Sequence, residues 1–379
     1  MSDTPLADIR EHFGTIDDPR VERTKLHWLI DIIVIAICAV VCGAEDWPDV
    51  EAFGKAKETW LKKYLELPNG IPCHDTFGRV LARLEPEQFP TSFLNWVRAV
   101  MSLTQGQVVA LEGKQLRRSH DRVLGKSAIW MVRAWAADNR LVLGQVKVAE
   151  KSKKITAIPR LLEVLTLKDC IVTLEAMATQ TEIAATIVAQ EADYVLPVKE
   201  NQGRLSEELK ATFDEAQALN FKPVPHETRP TANNGQGRSE TRQCGLITPA
   251  DYLTALGQRP AWPNLNAIAM IRSERQVGNE PAVVTTRYYI SSLTGDAQRG
   301  LTAVRSHWRI ENDLHWSLEV TFHEDLSRIG QGAGPQNFAV LRHSALNLLQ
   351  QEKSAKIGLK AKRLKAGWDE TYLLKVLLD

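Results

Sequence analysis

The sequence is short of the features that would set it apart from ordinary globular proteins. Its five cysteines are odd in number and form no C-x-x-C pair, which excludes a disulfide-stapled scaffold and leaves a zinc knuckle without a motif. It has no uninterrupted apolar run of the ~20 residues that a spanning helix needs. The longest stretch, Leu29 to Cys42, is broken by Asp31 and reads as a buried core helix. Neither charge is in excess, with 47 Lys+Arg against 46 Asp+Glu and a net charge of +1, so bulk electrostatics announce no nucleic-acid partner. Any such partner requires basic residues that are locally sorted. No internal repeat or low-complexity tract is visible, which excludes a solenoid. The leading MSDTPLADIR carries acids where an export signal has a basic region, so a cytoplasmic protein is expected.

What is present is a chain of 379 residues, 44% hydrophobic and 25% charged, with room for two or three domains. Residues 1–104 read as a helical N-terminal domain, with helices expected over Val50–Tyr64, Asp75–Leu84 and Pro86–Leu103 and a turn at Pro68-Asn69-Gly70-Ile71-Pro72. Such a module suits contact with DNA ends, or simple packing on a larger domain. From Val108 the period changes: strands are expected at Val108–Leu111, Ala128–Trp135 and Leu141–Val148, then at Cys170–Leu174 and Tyr194–Val198 with helices between them. Three antiparallel strands followed by βαβ crossovers predict an α/β domain with a ribonuclease-H-like mixed sheet, over 105–202 and 282–352. Residues 203–281 read as an α+β insertion with a charged helix, a Pro-rich stretch Lys222–Pro230, a turn at Asn233-Asn234-Gly235 and a strand at Ala267–Arg272; another strand, Thr286–Ser291, follows it. Helices are expected over Thr302–Val320, Asn337–Gln350 and Trp368–Leu378, the last within a basic tail, 353–379.

Four carboxylates stand out from this map. Glu112 ends the first expected strand and Glu175 the fourth, while Glu311 and Glu319 lie eight residues apart on one helix, slightly over two turns, and so point to roughly one face. First and fourth strands lying side by side would bring Glu112 and Glu175 together under a helix carboxylate. A single glutamate at a strand end is ordinarily a solvated surface charge. As a set, such acids suit two Mg²⁺ ions about 4 Å apart, which serve in-line attack on a phosphodiester.

Colinear segments spread over nearly the whole chain carry a resemblance. They include Gly70-Ile71-Pro72-Cys73-His74-Asp75-Thr76-Phe77, Gly113-Lys114-Gln115-Leu116-Arg117, Lys199-Glu200-Asn201-Gln202, Arg287-Tyr288-Tyr289-Ile290-Ser291-Ser292-Leu293, and His307-Trp308 through Glu311-Asn312 to Leu314-His315-Trp316. In these the chain resembles the ISAs1-type insertion-sequence transposases, also called H-repeat-associated proteins. The resemblance implies a ribonuclease-H-like enzyme with an Asp-Asp-Glu triad that holds Mg²⁺ or Mn²⁺, cuts transposon ends and joins them to target DNA. It also implies double-stranded DNA as partner, a homodimer to pair two ends, and nucleoid association.

Mapped onto this chain, the resemblance implies Glu112, Glu175 and Glu311 as catalytic metal ligands, with Glu319 as a nearby fourth acid. Aspartate is expected at 112, 175 and 319; only Glu311 matches the triad as it stands. The extra methylene moves each carboxylate by about 1.5 Å. Mg²⁺ demands near-octahedral geometry, and a misplacement of about 1 Å at a reacting centre costs on the order of a hundredfold in rate. The pattern also expects His-Gly-Arg where Gln236-Gly237-Arg238 stands, and basic residues after Arg328 where Ile329-Gly330-Gln331-Gly332-Ala333 follows. Three readings stay open: a retuned all-glutamate metal site with impaired chemistry, a catalytically inactive DNA-binding derivative such as a repressor or domesticated regulator, and an artificially altered sequence.

Phosphate contacts are expected from basic residues near these acids. Lys114, Arg117 and Arg118 follow Glu112, while Lys151, Lys153 and Lys154 follow the third strand. Lys199, Arg238 and Arg328 complete the set. The tail adds Lys353, Lys356, Lys360, Lys362, Arg363 and Lys365. Binding through such residues is strongly salt-dependent and largely independent of base sequence.

Overall fold

The computed structural model describes residues 7–100, 106–120, 125, 127–148, 154–221, 226–235, 238–248 and 261–378. Six helices come first: α1 (Ala7–Phe13), α2 (Leu29–Val41), α3 (Trp47–Ala56), α4 (Glu58–Leu61), α5 (His74–Arg83) and α6 (Gln88–Val100). The helix expected over Val50–Tyr64 is thus two short ones. Asp46 starts α3 by accepting a 3.0 Å bond from the Asp49 backbone N–H. Helix α2 is buried along nearly its whole length, Asp31 included.

The strands then follow: β1 (Val108–Gln115), β2 (Trp130–Ala136), β3 (Leu141–Val148), β4 (Ile171–Leu174) and β5 (Asp193–Val198), with α7 (Lys154–Glu163) and α8 (Thr181–Ala189) as the crossovers. After α9 (Gly203–Ala218) come β6 (His226–Gly235), β7 (Arg238–Ile247), β8 (Ala267–Val277) and β9 (Val283–Ser291). All nine described strands form one sheet in the order β3-β2-β1-β4-β5-β9-β8-β7-β6. Its first five, with β1 antiparallel to β2 and parallel to β4, have the ribonuclease-H-like order.

Two strand expectations are corrected. Glu112 does not end β1, because antiparallel pairing with β2 carries the strand on to Gln115 opposite Trp130. The Pro-rich stretch and the Asn-Asn-Gly turn contribute instead to β6, paired along β7 from His226 to Gly235. Pro230 is tolerated there because β6 is the edge of the sheet, where a missing N–H interrupts no second ladder.

The chain closes with α10 (Ala297–His307), a π-helical turn (Ile310–His315), α11 (Trp316–Val320), α12 (Gly334–Gln351), α13 (Leu359–Trp368) and α14 (Glu370–Leu378). The expected continuous helix over Thr302–Val320 is therefore broken by the π-turn. α12 is buried on every side from Gly334 to Leu349 because it lies between the N-terminal helices and the sheet. Its Asn347 side chain accepts from Val142 N–H and donates to Val142 C=O, both at 2.9 Å, which satisfies the open edge of β3.

The basic tail is partly structural. Lys362 is buried and donates to the carbonyls of Leu349 and Glu352. Arg363 donates to the Val40 and Thr321 carbonyls and lies 4.2 Å over the Phe322 ring. Two of the tail cations are thereby withdrawn from any surface.

Candidate active site

β1 and β4 pair in parallel from Val108 with Ile171 to Leu111 with Leu174. The next residue on each chain is a glutamate, Glu112 and Glu175. Neighbouring strands lie about 4.8 Å apart and side chains alternate between faces, so these two carboxylates start side by side. Two positions back on the same face, the Thr173 hydroxyl bonds His307 Nδ1 at 3.0 Å, which fastens the end of α10 across the strands. Four residues on, the π-turn presents Glu311.

Glu112, Glu175 and Glu311 line a single cavity of about 210 Å³. Lys199, Arg287 and Trp308 stand on the same wall. The Arg287 guanidinium lies 4.8 Å over the Trp308 ring, a cation–π contact that orients both. Burial pushes the His307 imidazole down to about 4, so at neutral pH it packs against Thr173 without charge. Glu112 is also 3.7 Å from His315 Nδ1 on the π-turn.

The donor set is all carboxylate oxygen, the hard ligand chemistry that suits Mg²⁺ or Mn²⁺. As they stand the side chains do not close on one point: among the described residues, no three His, Cys, Asp or Glu groups are placed to hold a metal ion.

The remaining sequence-derived positions are scattered. Glu319 does not line the cavity; it bonds the Lys114 ammonium. Glu319 thus meets β1 two positions, about 7 Å, beyond Glu112, away from the cavity that Glu311 lines. Lys114 is also 3.6 Å from Asp325, and Arg117 Nε is 3.3 Å from the same carboxylate. Of the expected phosphate ligands, Lys199 lies at the cavity, and Arg117 and Arg118 are exposed. Arg328 lines a separate groove of about 630 Å³ with Arg79, His74 and His323. Lys151 and Lys153 lie outside the described residues, as do the side chains of Lys154 and Arg238 and the Gln236-Gly237 pair.

Thr173 had no signal of its own in the sequence. Arg287 carried one, since Val283, Thr285, Arg287 and Tyr289 alternate at the period of a strand and share a face.

Residues 10–97 match the DDE_Tnp_1-associated family model, and residues 103–348 match the Transposase DDE domain. The chain is 38% identical over 376 residues to the "H repeat-associated putative transposase YhhI" of Escherichia coli K12, covering 98% of each protein. It is 37% identical over 378 residues to the "Putative transposase YncI" of Escherichia coli O157:H7, covering 98% of this chain and 95% of that one. Among solved structures, the piggyBac transposase synaptic complex with hairpin DNA aligns at 11% identity and a TM-score of 0.43, over 96% of this chain and 79% of that one. With a ribonuclease-H-like sheet, a DDE domain and relatives matched from end to end, the chain belongs to the DDE transposases, in the H-repeat-associated, ISAs1-type branch.

Proposed function

We propose that the protein binds double-stranded DNA at transposon ends and catalyses divalent-metal-dependent phosphodiester cleavage and strand transfer, at a rate lowered by glutamate where the family pattern has aspartate. The observation that carries this reading is the convergence of Glu112, Glu175 and Glu311, from two strands and a π-turn, on one cavity. These three carboxylates would hold Mg²⁺ or Mn²⁺. Bound there, such ions would supply activation of the attacking water or 3′-hydroxyl and stabilisation of the leaving oxygen. Lys199 and Arg287 provide positive charge at the same wall for the phosphate oxygens, and neutral His307, held by Thr173, keeps the π-turn over the strand ends. Two ends must be brought together, so the working form is a homodimer on DNA, in the cytoplasm and on the nucleoid.

The test is incubation with the ends of its own element in Mg²⁺ or Mn²⁺, read as nicked or joined strands on a denaturing gel. Products are expected from the parent, more from the double variant Glu112→Asp with Glu175→Asp, and none from Glu311→Gln. A parent and double variant that are both silent would refute the catalytic reading. A second reading, a DNA-binding derivative without catalysis, draws on the carboxylates not being placed as a ready-made metal cluster. It predicts end-specific binding without cleavage, and two metal ions found by calorimetry would count against it.

A further inference from the structure

Beyond the carboxylate cavity, the inserted part of the sheet has two chemically distinct faces. On one, Gln243, Met270 and Tyr288 lie towards α9, with Phe213 and Tyr288 ring centres 5.8 Å apart. On the other, period-two alternation puts Arg242 on β7, Ser273 and Arg275 on β8, and Thr285 and Arg287 on β9. Their register is direct: Arg242 pairs with Ser273, and Ser273 with Thr285. Arg305 of α10 faces them, and together they line a groove of about 800 Å³.

This groove is continuous with the catalytic cavity, because Arg287, Tyr289, Trp308 and Glu311 belong to both. From Tyr289 to Val283 the strand runs about 20 Å, the rise of about six nucleotides of duplex at 3.4 Å each. Arg242 is bonded to Glu240 at 2.7 Å, and Glu280 lies on the lining, so the groove is no uniform positive field. Its charge is arranged as guanidinium forks interleaved with hydroxyls, which match the spaced, bidentate acceptors of a phosphate backbone better than they match a peptide or a small anion.

We infer that this sheet face is the track for the sugar-phosphate backbone of the DNA strand leading away from the reacting phosphate, an inference that rests on the DNA-processing reading of the adjoining cavity. Arg275 lies far along the track and acts on binding, whereas Arg287 stands at its junction with the cavity. Neither contact reads base sequence, so the track serves any flanking DNA.

The experiment is a fluorescence-anisotropy titration of the full chain with a labelled duplex of arbitrary sequence, repeated with the single strand, between about 50 and 200 mM salt. Arg275→Ala is expected to lower the salt slope on duplex by about 0.9, the value of one lost phosphate contact, and Arg275→Ala with Arg287→Ala by about twice that. Arg272→Ala, three residues away on the opposite face, leaves the slope unchanged, and Arg287→Lys, which keeps the charge, retains most of it. Thermal melts of each variant identify any loss that reflects misfolding, and Arg275, exposed on the outer part of β8, keeps the test decisive if Arg287→Ala does not fold. Unchanged slopes in Arg275→Ala and in a folded double variant overturn the inference, as does a parent that binds neither DNA. A parent that binds with these slopes but never cleaves refutes the catalytic reading and leaves the track standing.

Discussion

Arg133 on β2 and Glu324, in the turn that follows α11, are both wholly buried, and one guanidinium nitrogen donates to both carboxylate oxygens at 2.8 Å. Arg133 is also the cross-strand partner of Glu112. The pair therefore anchors the segment after the π-turn to the strand that pairs with β1 at Glu112. Replacing Glu324 with Gln leaves a buried cation without its counter-charge and is expected to cost about 3–5 kcal/mol in urea unfolding. Arg133→Met with Glu324→Leu costs much less, because two apolar groups replace two desolvated charges. Equal losses in the single and double variants would show that packing, not charge pairing, holds this segment.

Lys114 and Arg117 were expected to hold DNA phosphates, yet both meet carboxylates of their own chain, Glu319 and Asp325. Removing those acids with Glu319→Gln and Asp325→Asn is expected to release two cations and steepen the salt dependence of duplex binding by about 0.9 for each. A slope identical to the parent's would place these cations away from DNA altogether.

Acid sensitivity follows from two groups, half-buried His307 and buried Glu352. Burial holds His307 down to about 4, and although burial alone would raise Glu352, bonds from Ser354 and Tyr372 outweigh it and hold that carboxyl at about 2. For both, the unfolded chain binds a proton at a higher pH than the folded one, so folding stability falls as pH falls. The His307 contribution is complete above about pH 6.5 and is lost towards about pH 4; that of Glu352 is lost between about pH 4.5 and pH 2. Urea midpoints measured across this range should decline in that order, and His307→Gln should flatten the upper part. A stability that holds level from neutrality to pH 4 would contradict this.

Asn347 completes the edge of β3 by mimicking a strand partner for Val142. Asn347→Leu keeps the volume but leaves a buried N–H and C=O unmade, and it is expected to cost about 1–3 kcal/mol for each in unfolding free energy. Hydrogen exchange at the Val142 amide should accelerate more than at amides in the middle of the sheet.

Much of the central sheet is legible locally. Leu141–Val148 and the short βαβ strands are written as residue alternation and apolar runs, and the strand order follows from connection rules. Glu112 and Glu175 could be paired in advance because parallel β1 and β4 end their ladder one residue before each. β6 was hidden because Pro230 and the Asn-Asn-Gly run carry turn chemistry that an edge strand can absorb. The π-turn was hidden because its residues also read as a regular helix, and the extra residue per turn changes where every later side chain points.

What the sequence by itself determined was the family and the order of the first five strands, and it set Glu112, Glu175 and Glu311 where two neighbouring strands and a helix could bring them to one cavity, because motif spacing and side-chain periodicity are local properties of the chain. Its lack of excess charge and of cysteine motifs means that its chemistry rests on small, sorted clusters. Only the tertiary structure decided which charges face outwards. Lys362 and Arg363 are spent on backbone carbonyls, Lys114 on Glu319, and Arg133 on Glu324, while Arg275 and Arg287 are left on an open face. A charge's role depends on the partner that packing sets beside it, and those partners come from segments far apart in the chain.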